Sequence, residues 1–423
     1  MRRGSGPEPS EKAILVLVNG DPAEDEIAEA ELDGLCEAAG VEPVGALRQR
    51  LEKPHNATYI GKGKAEEAAA MVRAFDAELA IVDTELSGIQ NRNLSEAIGR
   101  RVIDRTQLIL DIFARRARTK EGMLQVELAQ LNYMMPRLMS VYTKFERQRG
   151  GIGMRGPGEM KLEADRRVVR ERVLKLGQEL SEVRAARRQQ RSGRRKTPFP
   201  FASIIGYTSA GKSTLMNALA GTELLADAMP FATLDPTTRK VELPNGYGLF
   251  LTDTVGFIRN LPTNLVAAFR STLEEVTFSD FLIHVVDASN PMWELQTDAV
   301  RETLRALEAA DKPTVTVFNK ADLVADSFAR RRLEEEHPGS VAVSALTGVG
   351  MDRLLERLAA EIQGLLGSVR ALVPYDESGL VQQCYEYGRV GRVEYRDAGI
   401  YVEAEVVRDL KERLQKYAVA DDS

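Results

Sequence analysis

The sequence predicts a multidomain α/β protein. An N-terminal α/β domain leads into a long antiparallel helical hairpin, then a second α/β domain, then a small α+β domain. Three observations predict this. Short apolar runs alternate with helical patterns over residues 11–118 and again over 196–367, the mark of mainly parallel sheets. Between them, leucines and valines step by three and four through 119–195, as in coiled-coil seams. The chain has 423 residues, enough for about two to four domains.

In the first region, AILVLV (13–18), LAIVD (79–83) and RVID (101–104) read as strands, with helices over Asp25–Ala38 and Lys64–Phe75. In the second, one seam runs Leu124, Leu128, Leu131, Met135, Leu138, and the other Val169, Val173, Leu176, Leu180, Val183. The segment 149–159, RGGIGMRGPGE, is too glycine-rich for helix and joins the two. Pro136 is expected to kink the first helix or end it early. In the third region, FASIIG, GLFLT, FLIHVVD, TVTVFN and SVAVS are strands, and Asn245-Gly246 marks a hairpin turn. The fourth region, 368–423, has a strand near 371–374, a helix after Asp376, strands at RVEYRD and GIYVEAEV, and a terminal helix or tail.

Composition narrows the function classes. The net charge is −6, so the whole molecule is no general polyanion binder. Two distant cysteines, Cys36 and Cys384, make no disulfide framework and argue for a reducing, cytoplasmic setting. Three scattered histidines, His55, His284 and His337, build no zinc spacing. MRRGSGPEPS lacks the apolar stretch of a secretory signal, and no apolar run is long enough to span a bilayer.

The chemistry lies between Phe201 and Leu346. GYTSAGKS, comprising Gly206, Tyr207, Thr208, Ser209, Ala210, Gly211, Lys212 and Ser213, follows the strand FASII and opens a helix. That is the context a phosphate-binding P-loop requires. The glycines let backbone amides close around a phosphate, Lys212 sets a cation against the β- and γ-phosphates, and Ser213 offers a hydroxyl to Mg²⁺. A glycine-containing turn would match by chance without the strand before it and the helix after it.

LTDTVG ends a strand in Asp253 and continues Thr254, Val255, Gly256. A strand-end aspartate is often only a cap. After a P-loop it reads as the metal-side carboxylate, followed by a glycine amide for the γ-phosphate. NKAD, comprising Asn319, Lys320, Ala321 and Asp322, follows TVTVF. Asp322 can accept from guanine N1–H and the 2-amino group, and Asn319 can reach the N7/O6 edge. Adenine would leave the carboxylate unpaired, which selects GTP over ATP. Lys320 is expected to lay its stem over the base. Ser344, Ala345 and Leu346 fit a loop that covers the base through backbone amides, or a simple Ser-capped turn. PFATLDPTTR (230–239) occupies the place of a first switch, where one of Thr233, Thr237 and Thr238 is expected on the metal.

Together GYTSAGKSTL, FATLDPTTR, DTVGFI, NKAD and SAL resemble the HflX family of translation-factor-related P-loop GTPases. YIGKGK (59–64), LQVELAQLNYMMPRL (124–138) and GGIGMRGPGEMKLEADRR (150–167) extend the resemblance beyond the nucleotide domain. It implies a GTPase that binds the large ribosomal subunit, splits or rescues ribosomes under stress such as heat, and is stimulated by that subunit. It selects Thr233 for Mg²⁺, makes Lys212, Thr233 and Gly256 the catalytic set, and adds Phe231, Ala232, Leu234 and Asp235 to the GTP-binding residues. Phe257 stands where most translational GTPases carry a polar, water-orienting residue, which implies slow intrinsic hydrolysis. Related potassium-stimulated GTPases carry Asn where this chain has Ser209, whose shorter reach weighs against K⁺ as a second cofactor.

The segment 144–196 is the most basic part of the chain. Charge alone is better met by a solvated helix face and a flexible linker, RSGRRK (191–196), before the next domain. With the resemblance, Arg147, Arg149, Arg155, Lys161, Arg166 and Arg167 are expected on ribosomal RNA. Other functions share these motifs: a large-subunit assembly GTPase, or a regulatory switch on a protein partner, peripheral at a membrane. The chain is expected to be a monomer.

Overall fold

A computed structural model describes residues 11–19, 22–51, 53–147, 157–194, 199–221, 230–231, 236–259, 275–324 and 327–419. It divides into two compact units. One comprises 1–183 with 229–235 and 260–270; the other comprises 184–228, 236–259 and 271–423.

The first unit is built on four parallel strands in the order β2-β1-β3-β4: β1 (Glu11–Asn19), β2 (Val41–Arg50), β3 (Leu79–Val82) and β4 (Arg101–Asp104). Their crossovers are α1 (Pro22–Ala39), α2 (Lys62–Ala74) and α3 (Gly88–Ile98). The strand β2 has no counterpart in the sequence reading. Its Pro43 and Gly45 argue against a strand, yet β2 lies at the sheet edge, where proline costs no ladder hydrogen bond on its outer side. Ser87 and Gln90 form a reciprocal capping box that starts α3, and left-handed Gly99 ends it. Ile14, Val16, Ile60, Ala68, Val72, Ala80 and Val82 share one core against a sheet face.

After α4 (Arg105–Arg116) the long helices follow: α5 (Lys120–Arg147) and α6 (Pro157–Arg194). Pro136 does not end α5, contrary to one of the two expectations. Tertiary bonds hold the helix beside it. Tyr133 donates to Asp104 at 2.7 Å, and Arg137 reaches Asp104 at 2.9 Å and the Leu86 carbonyl at 2.6 Å. Asp104 is fully buried and also caps α4. Leu124, Leu128 and Leu131 pack with Leu176, Leu180 and Val183, and Arg172 grips Glu127 with two bonds at 2.7 and 2.8 Å. The helix α6 starts at Pro157, inside the segment expected to be non-helical, because proline suits the first helical turn. It also runs to Arg194 through residues with linker-like composition. The glycine-rich tip at 148–156 lies outside the described residues.

The second unit carries a six-stranded sheet in the order β10-β9-β8-β5-β7-β6. Its strands are β5 (Phe201–Gly206), β6 (Thr237–Glu242), β7 (Gly248–Asp253), β8 (Phe281–Asp287), β9 (Thr314–Asn319) and β10 (Val341–Ala342). All neighbours are parallel except the β6/β7 hairpin, turned at Gly246 with φ 81°. Parallel strands send their carboxyl ends to one edge, where such sheets bind ligands. A smaller antiparallel sheet follows: β11 (Gly367–Val373), β12 (Gly388–Arg396) and β13 (Gly399–Val406), in the order β11-β13-β12. Helices Gly379–Tyr387 and Arg408–Leu414 pack with it around Cys384, Leu410 and Leu414. Among the described residues no helix is long and apolar enough to cross a membrane.

Candidate nucleotide site

The P-loop joins β5 to α7 (Lys212–Ala220). Gly206 at φ 150° and Gly211 at φ 89° take conformations that side chains disfavour. A Cβ on Gly206 would sit 2.2 Å from the Val285 carbonyl oxygen, and one on Gly211 would sit 2.3 Å from Asn319 Nδ2. Lys212 is buried and donates to the carbonyls of Gly206 at 3.1 Å and Tyr207 at 2.7 Å. Burial pushes its ammonium down to about 8, with the Asp253 carboxylate acting in the opposite direction. That carboxylate closes β7 and accepts a bond from Ser213 Oγ at 2.7 Å. A hydroxyl and a buried carboxylate side by side are hard oxygen donors, the kind magnesium takes together with phosphate oxygens and water. The residues present fit that ion.

Thr254 donates to the Ile204 carbonyl at 2.6 Å. Beyond it the DTVG loop bridges to the P-loop. Thr208 N–H donates to the Phe257 carbonyl at 2.8 Å, and Phe257 N–H donates to the Gly206 carbonyl at 3.0 Å. Arg259 N–H adds a bond to the Tyr207 hydroxyl at 2.9 Å. The Phe257 ring is 1% exposed, so its side chain turns into the core. Gly256 lies so close that a Cβ there would meet Thr208 Cα and Lys212 Nζ, each at 3.0 Å.

The base-recognition residues converge on the same sheet edge. Asn319 Nδ2 donates to the Ala210 carbonyl at 2.9 Å, and Asn319 Oδ1 accepts from Ala345 N–H at 3.0 Å. Both polar ends of this amide tie loops together, a role the sequence reading did not give it. Ala321 N–H donates to the Val343 carbonyl at 3.0 Å, and Asp322 projects exposed. Ser344 is buried and its hydroxyl accepts from Thr347 N–H at 3.1 Å, whereas Leu346 is exposed. Lys320 sits at φ 60° with its ammonium 2.7 Å from Asp287, a residue absent from the sequence reading. The signal was there: FLIHVVD is an apolar strand ending in aspartate, the same pattern that marked Asp253.

In the first unit, Phe231 is buried edge-on against Phe113, with centroids 4.6 Å apart. Ala232, Thr233, Leu234 and Asp235 lie outside the described residues. Thr237 and Thr238 are strand residues of β6, and Thr238 shares a hydroxyl bond with Thr252 at 2.9 Å. On α6, Arg167 is exposed and 3.9 Å from Glu171, and Arg166 is half-buried. Arg149 and Arg155, and the side chains of Arg147 and Lys161, lie outside the description.

Four family profiles tile the chain: GTP-binding GTPase N-terminal over 26–114, GTP-binding GTPase Middle Region over 116–194, 50S ribosome-binding GTPase over 201–320, and HflX C-terminal domain over 330–417. GTPase HflX of Caldanaerobacter subterraneus is 45% identical over 410 residues, covering 97% of this chain and 94% of that protein. The chain belongs to the HflX family of GTPases. GTPase HflX of Escherichia coli K12 is 42% identical over 377 residues, 89% of this chain and 88% of that one. A solved complex of SsGBP with GDP aligns at TM-score 0.49 and 24% identity, over 84% of this chain and 99% of the other. As an HflX GTPase the chain binds and hydrolyses GTP, and its nucleotide domain is of the 50S ribosome-binding kind.

Proposed function

We propose that this GTPase binds the large ribosomal subunit in its GTP state, displaces the small subunit, and so splits or rescues stalled or idle ribosomes under stress. The observation that supports this best is the match of residues 201–320 to a 50S ribosome-binding GTPase in a chain that also carries the basic hairpin of α5 and α6. Arg147, Arg149, Arg155, Lys161, Arg166 and Arg167 contact ribosomal RNA in this reading, mainly through phosphates.

Lys212 neutralises the β- and γ-phosphates, and the Gly256 amide meets the γ-phosphate. Ser213, whose hydroxyl bonds Asp253, would hold Mg²⁺ together with Thr233; the ion would supply charge neutralisation on the phosphates. Asp322 reads the base. The buried Phe257 offers no water-orienting group at its own position, so in this reading the subunit supplies the stimulation.

The test is co-sedimentation and GTPase rate with purified large subunits. The GTP-loaded protein is expected to pellet with them and to hydrolyse faster in their presence. Arg149→Glu combined with Arg155→Glu is expected to abolish both effects while GTP binding persists. Identical behaviour of the GTP and GDP forms, with no stimulation, would point to a switch acting on a protein partner. Binding to precursor subunits alone would point to assembly.

A further inference from the structure

We infer that Asp287 is a positioning residue for guanine-nucleotide binding, acting through Lys320. The inference rests on nucleotide binding and is independent of the ribosome reading.

The geometry begins in the sheet. The strands β8 and β9 run parallel with Asp287 in register with Asn319. Ala288 N–H donates to the Asn319 carbonyl at 2.9 Å, which fixes the two strand ends against each other. Asp287 therefore stands at the carboxyl edge of the sheet, beside the first residue of NKAD, where a ligand of this fold binds. Its Oδ2 lies 2.7 Å from Lys320 Nζ. Its Oδ1 accepts from Ser289 N–H at 3.0 Å and from Ser289 Oγ at 2.6 Å. One oxygen is thus held by a turn, and the other is presented to the lysine.

Lys320 needs such a hold. Its backbone sits at φ 60°, in the left-handed region that a residue with a Cβ seldom adopts. That conformation lets Asn319 face inward to Ala210 and Ala345 while Lys320 turns outward. A lysine stem has four rotatable bonds, and freezing it costs side-chain entropy. A pair between side chains 31% and 13% exposed is less screened than a surface pair. By fixing the far end, Asp287 lays the stem out as a preformed platform before the base arrives. Ligand binding then loses less entropy.

The experiment is a double-mutant cycle on the full chain, read as affinity for fluorescent (mant) GDP. Asp287→Asn keeps the acceptor for Ser289 and removes the charge facing Lys320. Lys320→Met keeps a stem and removes the ammonium. Asp287→Asn alone is expected to weaken GDP binding about fivefold, mostly through faster release. In the Lys320→Met background the same change is expected to alter affinity less than about twofold. Ser289→Ala is a second variant, expected to weaken binding less and again only when Lys320 is present. Equal losses in both backgrounds would make Asp287 a structural turn residue, and no loss in either would remove it from the site; each overturns the inference. Wild-type affinity, measured alongside, reports on the nucleotide site itself, so its failure is told apart from that of Asp287.

Discussion

Asn319 Nδ2 donates to the carbonyl oxygen of Ala210 at 2.9 Å, and this bond ties the base-recognition loop to the phosphate loop. The other end of the same amide holds Ala345 N–H at 3.0 Å. Three loops from β5, β9 and β10 thus meet on one side chain. Gly211 must be glycine beside it, because any Cβ would collide with the amide nitrogen. This one amide couples the base and phosphate loops.

Removing that amide strands two buried groups, since Ala210 and Ala345 are both buried. Asn319→Ala is expected to lower stability by about 2 kcal/mol, the cost of buried polar groups without partners. Affinity for GDP and GTP is expected to fall together by more than about tenfold, ~1.4 kcal/mol. Urea unfolding and nucleotide titration check both. Loss of affinity with unchanged stability would assign Asn319 to the base alone.

Asp322 offers the contrast. It is exposed to solvent. Asp322→Ala is expected to leave unfolding within about 0.5 kcal/mol of wild type. Its effect falls on selectivity, because the carboxylate pairs with guanine donors that adenine's edge lacks. Competition of GDP and ADP against a fluorescent guanine nucleotide is the readout. The preference is expected to drop by about tenfold or more. A preference that survives the substitution would place base recognition elsewhere.

These two residues also show what could be read from the chain alone. The spacing of NKAD names both, because the chemistry of the guanine edge demands them. It does not reveal that Asn319 serves the P-loop, since Ala210 lies over a hundred residues earlier and only the sheet brings it near. The strand β2 was missed for a local reason: Pro43 and Gly45 oppose strand propensity, and only its edge position makes them tolerable. Pro136 does not end its helix for a non-local reason, because Asp104 and Leu86 hold Tyr133 and Arg137 from outside the helix. Asp287 carried the same strand-end signal as Asp253 but belongs to no familiar motif.

The bridge between Phe257 and the P-loop makes Gly256 sensitive. A methyl there would lie 2.9 Å from Thr208 Cγ2 and 3.0 Å from Thr208 Cα. The second of these is backbone and cannot swing aside, so the DTVG loop must lift. Gly256→Ala is therefore expected to slow single-turnover GTP hydrolysis by about tenfold or more. GDP affinity is expected to change by less than about threefold, because the diphosphate makes no use of this amide. Single-turnover rates and GDP titration separate the two effects. Unchanged hydrolysis would remove Gly256 from the catalytic set.

His284 gives the protein a pH dependence of its own. It lies in β8, between β5 and β9, and is buried. Burial above all, helped by the positive charges of Arg301 and Lys212, pushes its imidazole down to about 4 from an ordinary 6.5. Above pH 6.5 the ring is neutral in both folded and unfolded chains, and stability gains nothing from it. Below 6.5 the unfolded chain takes up a proton that the folded chain refuses, so stability falls until pH reaches about 4. At pH 5 the loss attributable to this one ring is about 2 kcal/mol relative to pH 7.5. Carboxylates also titrate in this range, so the comparison must be internal. His284→Gln removes the titration and keeps a neutral side chain of similar size. Urea unfolding of both proteins at pH 7.5 and 5 is expected to show the larger drop in the wild type. Equal drops would mean that the folded protein accommodates the imidazolium, for instance by rearranging Arg301 away from the ring.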